Sequence, residues 1–223
     1  MFVLFRTIII NALNSEADVF LYDILTPLFY ISNIGIDMIE IINSGGVTSA
    51  QGFSAGGTYA GLKTQSDTLD LGVILSEKMA NVAATFTTNS IESPSVSVSR
   101  KRLVSGTALG VIANSGCANC SVGEQGFTDA EEMTELAASF LGGTSNDYFV
   151  ASTGMIGVEL PMALIRQNLT NISVDSNGGA DFAKAIMTTD TKNKERAVSF
   201  MFEGKTVTVG GAAKGVGMIH PNM

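Results

Sequence analysis

From residue 44 onward, short runs of apolar and β-branched residues alternate with glycine-containing turns. This alternation is the feature that most constrains the fold, because it predicts short regular elements and frequent reversals of the chain. The chain has 24 glycines among 223 residues, and 45% of its residues are hydrophobic against 15% that are charged. These proportions are typical of a compact, turn-rich globular protein and not of a disordered one.

The periodicity of the apolar residues predicts a mixed α/β (α+β) fold. Apolar spacing and a terminal glycine pair indicate that the clearest helix covers 128–141, where Thr128 and Glu131 match a capping box. The remaining predicted elements are helices over 160–169 and 180–187, strands over 58–63, 69–75, 82–88, 108–113 and 148–152, and a hairpin of 198–202 with 205–209 across Glu203-Gly204.

The first 43 residues differ from the rest, since they carry one basic residue and five acidic ones among many Ile, Leu and Phe. Their longest charge-free run, 24–36, spans 13 residues and is too short to cross a bilayer. Neither a signal peptide nor a mitochondrial presequence matches this composition. We therefore predict an atypical extension over 1–43, or a start codon assigned too far upstream, and one domain over 44–223.

The charge and the cysteines exclude several classes of partner. A formal charge of −8 argues against nucleic acid and anionic membranes, which both require a basic surface. Cys117 and Cys120 are too few for a zinc site, and the single histidine, His220, is remote in sequence. We predict no metal site, and we interpret the cysteines as small packing residues in a reducing compartment.

Three turns follow apolar segments and could carry chemistry. In Ala151-Ser-Thr-Gly-Met-Ile-Gly157, Thr153 and Gly154 could present a hydroxyl and a backbone N–H in one direction, as an oxyanion hole requires, although such turns are also common as plain structure. The segment from Asn114 to Asn119 fits either a strand-ending turn or a wall of a site. The third, Met187-Thr-Thr-Asp-Thr191, is typical of an exposed turn after a helix.

A fourth segment, Gly210-Gly-Ala-Ala-Lys-Gly-Val-Gly-Met-Ile-His-Pro-Asn-Met223, places Lys214 among glycines. Glycines let the backbone and the ammonium approach a ligand together, so Lys214 suits a substrate carboxylate, or else it is a solvated lysine on a turn. A phosphate loop is excluded because the order of glycine, lysine and Ser or Thr that it requires is absent.

Taken in order, these segments resemble the N-terminal (alpha chain) half of the ornithine acetyltransferase (bifunctional glutamate N-acetyltransferase) family. The resemblance covers about 44–223 and includes Gly45-Gly-Val-Thr and Tyr59-Ala-Gly-Leu-Lys63. It implies that Thr153 and Gly154 stabilise the oxyanion and that Thr188 and Lys214 bind substrate. Met155 replaces the usual Val, and the Pro that usually follows the Thr-Thr-Asp-Thr segment is missing, which leaves the geometry of that loop open.

In this family the glycine-rich segment continues through Ala-Thr, and the chain is cut between these two residues. The resemblance therefore implies that the nucleophilic Thr lies beyond Met223, at the start of a beta chain from the same precursor, and that this chain is inactive without it. It further implies a two-layer β core flanked by helices, an α2β2 heterotetramer, and a location in the cytoplasm, or in the mitochondrial matrix of a eukaryote.

The implied activity is transfer of the acetyl group from N2-acetylornithine to glutamate in arginine biosynthesis, with release of ornithine and through an acetyl-threonine intermediate. No cofactor is expected, although some members accept acetyl-CoA as the donor. Two alternatives stay open from the sequence: a related N-terminal-nucleophile aminopeptidase or amidase, and an inactive fragment that lacks the nucleophile.

Overall fold

The structure is a computed structural model that describes residues 7–12 (backbone only), 39–65 and 67–216. Within these residues the chain forms two four-stranded β-sheets and four α-helices. The strands are β1 Thr7–Ala12, β2 Glu40–Ile42, β3 Phe53–Thr58, β4 Leu71–Asn81, β5 Thr107–Cys117, β6 Tyr148–Met155, β7 Lys194–Phe202 and β8 Lys205–Ala213. The helices are α1 Pro94–Arg102, α2 Gln125–Leu141, α3 Met162–Asn168 and α4 Gly179–Ala185.

The two sheets differ in their strand directions. Sheet A has the order β1-β8-β7-β2 and is antiparallel throughout. Sheet B has the order β3-β4-β5-β6, in which β5 and β6 are parallel and the other pairs antiparallel. The parallel pair requires a long crossover, which α2 supplies. Two sheets flanked by helices confirm the mixed α/β class predicted from the sequence.

Sheet B is buried on both faces, because successive residues of its strands point to opposite sides. Val73 and Ile112 contribute to a cluster with residues of α1, α2 and α3, whereas their neighbours Ile74 and Ala113 face the opposite way. The second cluster joins sheet B to α4 and to sheet A, and its buried members are Val47, Ala50, Ala55, Ile74, Ala113, Phe182, Ala183, Ile186 and Ala212. Helix α4 and the core beneath it therefore hold the two sheets together.

Two predicted strands are wrong. The segment 58–63 belongs to β3 only at Thr58, and 59–63 form a loop that is tied to the carboxylate of Asp70. The segment 82–88 has no regular structure and follows directly after β4, which ends at Asn81. Both segments are rich in the apolar or small residues that also occur in strands. Whether such a segment forms a strand depends on its tertiary contacts, which the sequence does not show.

The helices show a smaller set of differences. Helix α1 was not predicted, because Pro94-Ser-Val-Ser-Val alternates as a strand would, yet Val96 and Val98 are buried and the Ser99 hydroxyl donates to the Val150 carbonyl at 2.8 Å. Helix α2 starts three residues before the predicted Thr128, and its N-cap, Glu124, makes no side-chain capping bond. The predicted hairpin is confirmed, with Phe202 paired to Lys205.

Parts of the predicted extension, residues 7–12 and 40–42, pair with β8 and β7 in sheet A. The rest of 1–38, and the end of the glycine-rich segment from 217 to 223, lie outside the described residues. The boundary between residues 43 and 44 stays a prediction. No helix in the described ranges is both long and apolar enough to span a membrane.

Candidate active site

The ammonium of Lys214 joins two hydroxyls from distant parts of the chain. Its Nζ donates to Thr153 Oγ1 at 2.9 Å and to Thr188 Oγ1 at 2.8 Å. Lys214 directly follows β8, Thr153 lies near the end of β6, and Thr188 follows α4. Three of the four residues singled out from the sequence therefore lie in one hydrogen-bonded cluster.

This arrangement decides which way the two hydroxyls can act. An ammonium has only donors, so both threonine oxygens accept from Lys214 and each keeps its own hydrogen for a different acceptor. All three side chains are half-buried, which leaves them within reach of a ligand. The cluster can therefore donate two O–H groups and a third ammonium hydrogen to an anionic or carbonyl oxygen.

Gly154, the fourth predicted residue, is adjacent to this cluster in β6 and has a positive φ of 135°. It is paired with Gly116 of β5, and a Cβ placed on Gly154 would lie 2.2 Å from the carbonyl carbon of Gly116. Only glycine fits this close approach of two strand ends. The sequence step Thr-Gly thus places the Thr153 hydroxyl beside a backbone position that requires glycine.

Asp190 ties together the two loops that bear Thr188 and Lys214. Its carboxylate accepts the backbone N–H of Gly215 at 2.7 Å and that of Thr188 at 3.2 Å, and it forms an ion pair with Lys194. Burial would raise the pKa of Asp190, but these hydrogen bonds and the charge of Lys194 outweigh it and lower that pKa below its ordinary value. Asp190 is therefore held as a charged anchor beneath the cluster.

The pKa of Lys214 is lowered, chiefly because burial disfavours its charge. The carboxylate of Asp190 acts in the opposite direction, while the ammonium of Lys194 adds to the lowering. Lys214 is thus a partly desolvated ammonium without an ion pair among the described residues, and an anionic ligand would relieve that desolvation.

A second buried carboxylate, Asp70, shapes the loop beside the cluster. It is fully buried and accepts backbone N–H groups from Ala60 at 2.6 Å, Leu62 at 2.7 Å and Lys63 at 3.0 Å. The Leu62 carbonyl in turn packs against Gly116, where an added Cβ would lie 2.6 Å from it. Asp70 and this loop therefore support the strand end that carries Gly154.

The segment from Asn114 to Asn119 has mainly a structural part in this site. The Asn114 side chain donates to the Cys117 carbonyl at 2.9 Å, and the Ser115 hydroxyl donates to the carbonyl of Ala185 at 2.5 Å. Asn119 has a positive φ of 47° and donates to the Gly126 carbonyl at 2.8 Å. These bonds hold the end of β5 against α2 and α4, where Ser115 is paired with Thr153 of β6.

Cys117 and Cys120 are both buried and unbridged, and burial raises the pKa of the Cys117 thiol. In the described part of the chain, no group of three or more His, Cys, Asp and Glu side chains is arranged to hold a metal ion.

Sequence reasoning missed Asp70 as a support and Lys63 as a neighbour of the cluster. Lys63 lies in the segment Tyr59-Ala-Gly-Leu-Lys63, which resembles the family, and Asp190 lies in the Thr-Thr-Asp-Thr segment. Neither residue was assigned a role from the sequence. The sequence signal for Asp70 was weak, because an isolated Asp before an apolar strand is common. Only the three backbone N–H groups that its carboxylate accepts in the structure distinguish it.

Comparison with known proteins gives a consistent result. A model of the ArgJ family matches residues 54–223. The arginine biosynthesis bifunctional protein ArgJ of Dehalococcoides mccartyi is 43% identical over 186 residues, which cover 83% of this chain and 46% of that protein. The chain thus spans about half the length of the curated relatives it matches.

Two crystal structures are similar to this chain over nearly the whole length of their own matched chains. The ArgJ protein of Bacillus halodurans superimposes with a TM-score of 0.79 at 39% identity. The superposition covers 83% of this chain and 97% of the Bacillus halodurans chain. Ornithine acetyltransferase from Mycobacterium tuberculosis, complexed with ornithine, superimposes with a TM-score of 0.77 at 34% identity, covering 83% and 99%. The family resemblance inferred from the motifs is confirmed: the chain belongs to the ArgJ family.

Proposed function

We propose that this chain forms part of a glutamate N-acetyltransferase that moves the acetyl group of N2-acetylornithine to glutamate. The observation that carries this proposal is the cluster in which Lys214 binds the hydroxyls of Thr153 and Thr188. It combines donors for a developing oxyanion with a cation for a substrate carboxylate. The ornithine complex of the Mycobacterium tuberculosis relative supports the choice of substrate class.

The nucleophile in this proposal is the N-terminal Thr of a second chain from the same precursor. Its free α-amine titrates near neutrality and accepts the proton of its own hydroxyl, while the hydroxyl oxygen attacks the acetyl carbonyl. The carbonyl π bond breaks and its electron pair moves onto the oxygen. Thr153 and the backbone N–H of Gly154 donate to that oxyanion.

Collapse of this intermediate breaks the bond between the acetyl carbon and the ornithine nitrogen, and the α-ammonium returns its proton to that leaving nitrogen. Ornithine leaves, and an acetyl-threonine ester remains. The amine of glutamate then attacks the ester carbonyl through the same oxyanion donors. The α-amine of the threonine takes a proton from the attacking nitrogen and passes it to the threonine oxygen as the ester C–O bond breaks, which gives N-acetylglutamate and completes a ping-pong cycle.

Substrate binding is assigned to Thr188 and Lys214. Among the described residues the Lys214 ammonium uses two hydrogens on the threonines, so one remains for a substrate carboxylate. Asp190 positions this ammonium indirectly. Its carboxylate accepts the backbone N–H of Thr188 and that of Gly215, which directly follows Lys214. Such fixation limits the entropy lost when substrate binds.

The wider assembly is also a proposal. We expect an α2β2 heterotetramer of this chain with the second chain, no cofactor, and acetyl-CoA as an additional donor only if the completed site admits it. The relatives' length, about twice that of this chain, supports a contribution to the active enzyme from polypeptide that this chain does not contain. The chain alone should therefore show no turnover.

The test is an acetyl-transfer assay on the assembled enzyme, produced from the full coding sequence, beside this chain alone. Ornithine and N-acetylglutamate should appear in equal amounts when N2-acetylornithine and glutamate are both present. Release of acetate in place of N-acetylglutamate would instead indicate a hydrolase. Turnover by the isolated chain would contradict the requirement for a second one.

A further inference from the structure

Lys63 is a second ammonium at the end of sheet B that carries the cluster. The loop from 59 to 63 follows β3, and three of its N–H groups are fixed by the buried carboxylate of Asp70. The Lys63 Nζ donates to the Leu69 carbonyl at 2.7 Å. Among residues 39–65 and 67–216 this bond orients the ammonium and uses one of its three hydrogens, so two remain for a ligand.

The loop lies against the strand ends that carry the oxyanion donors. Leu62, next to Lys63, packs on Gly116, and Gly116 is paired with Gly154. In sheet B the register aligns Thr58 with Leu71, and Leu71 with Asn114. The segments that follow β3 and β5 and precede β4 therefore share one edge of the sheet.

The charges of this edge act on one another. Burial lowers the pKa of Lys63, Asp70 opposes that effect, Lys214 adds to it, and Asp190 opposes it. Lys63 is thus close enough to sense both the ammonium and the carboxylate of the cluster. The two lysines repel each other in the absence of a ligand between them.

Neither of these two ammonium groups forms an ion pair with a carboxylate among residues 39–65 and 67–216, whereas Asp190 is paired with Lys194. Both Lys63 and Lys214 are half-buried. Two partly desolvated cations without a directly paired carboxylate among these residues favour an anion with two acceptor atoms, and a carboxylate has two oxygens.

We propose that Lys63 and Lys214 together bind the α-carboxylate of the amino-acid substrate, one ammonium to each oxygen. This inference rests on the proposed function, in which N2-acetylornithine and glutamate occupy one site in turn. Their side chains carry opposite charges, so an ammonium directed at the side chain would attract glutamate and repel ornithine. The α-carboxylate is the anionic group that both substrates share.

The test uses Lys63→Met in the assembled enzyme, with Lys63→Arg as the charge-conserving variant. Loss of a hydrogen bond to a charged group should raise KM for N2-acetylornithine and for glutamate alike, on the order of tenfold to a hundredfold, with kcat changed much less. Lys63→Arg should recover a large part of the loss. Lys101→Ala, which removes the same charge from an exposed position on α1, should leave both KM values unchanged.

A substrate analogue gives a second readout. The α-carboxamide of N2-acetylornithine lacks the negative charge, so the wild-type enzyme should strongly prefer the acid, and Lys63→Met should reduce that preference about tenfold or more. Equal use of acid and amide by the wild type would overturn the proposal without any variant, which also covers the case in which Lys63→Met does not fold.

Other outcomes separate the two proposals. An inactive wild-type assembly would contradict the acetyltransferase function itself. An active wild type with unchanged KM values in Lys63→Met would overturn only the role of Lys63. A KM that rises for glutamate alone would place Lys63 at the side chain and also overturn it.

Discussion

Lys214 Nζ lies 2.9 Å from the Oγ1 of Thr153, although 61 residues separate them in the sequence. Lys214 follows β8 of sheet A, and Thr153 belongs to β6 of sheet B, so this bond connects the ends of the two sheets. The candidate site is therefore a product of how the sheets are placed and not of any one element.

Removing the lysine should affect substrate binding more than folding. We expect Lys214→Ala to raise KM for N2-acetylornithine by a factor on the order of tenfold to a hundredfold, because a charged partner of the carboxylate is lost. The melting temperature should change little, since Thr153 and Thr188 are only half-buried. Steady-state kinetics and thermal unfolding measure the two effects. Lys192→Ala, at an exposed position, is the matched control, and a lower melting temperature with an unchanged KM would indicate a structural lysine only.

Thr153 should act mainly on the chemical step. Thr153→Val keeps the shape of the side chain but removes the donor, and we expect kcat to fall by about 10² to 10³, as for other oxyanion donors. Thr153→Ser retains the hydroxyl and should keep most of the activity. Single-turnover release of ornithine isolates this step from product release. An unchanged kcat in the valine variant would remove Thr153 from the oxyanion site.

The two glycines of the segment that follows Ser152 should differ sharply in tolerance. Gly154→Ala forces a Cβ against the Gly116 backbone at a φ of 135°, and we expect it to destabilise the fold by about 2 to 6 kcal/mol. Gly157 also has a positive φ, 73°, but no atom lies within 4 Å of an added Cβ. Gly157→Ala should therefore lower stability by only about 1–2 kcal/mol. Urea denaturation of both variants checks this difference, and equal losses would contradict the proposed close approach.

Asp190 should make stability depend on pH in the acid range. Its lowered pKa favours the charged form in the folded state, so its contribution is complete above the ordinary carboxyl pKa of about 3.9 and is lost as the pH falls toward the lowered value. The melting-temperature difference between wild type and Asp190→Asn should be constant near neutrality and shrink below about pH 4.

Asp181→Asn is the control for this profile, because Asp181 forms an exposed ion pair with Lys184, which contributes little to stability. A difference between wild type and Asp190→Asn that stays the same down to about pH 2 would show that the hydrogen bonds of Asp190 do not depend on its charge.

Several elements followed from local sequence. The hairpin of β7 and β8 turns at Glu203-Gly204, where both residues have the positive φ that such a turn requires. Helix α2 ends at Leu141 with Gly142 as its C-cap, as the terminal glycines indicate. By contrast, α1 and the loop from 59 to 63 did not follow, because a buried surface and the carboxylate of Asp70 override their local preferences.

The sequence by itself determined the mixed fold class, the family, and the order of the segments that carry Thr153, Gly154, Thr188 and Lys214, because turn residues and glycine spacing are local properties of the chain. Only the tertiary structure decided that Lys214 donates to both threonines, that Asp190 anchors it, and that Asp70 places Lys63 at the same edge. Hydrogen bonds and charge interactions fall off within a few ångströms, so they depend on distances that no spacing along the sequence specifies.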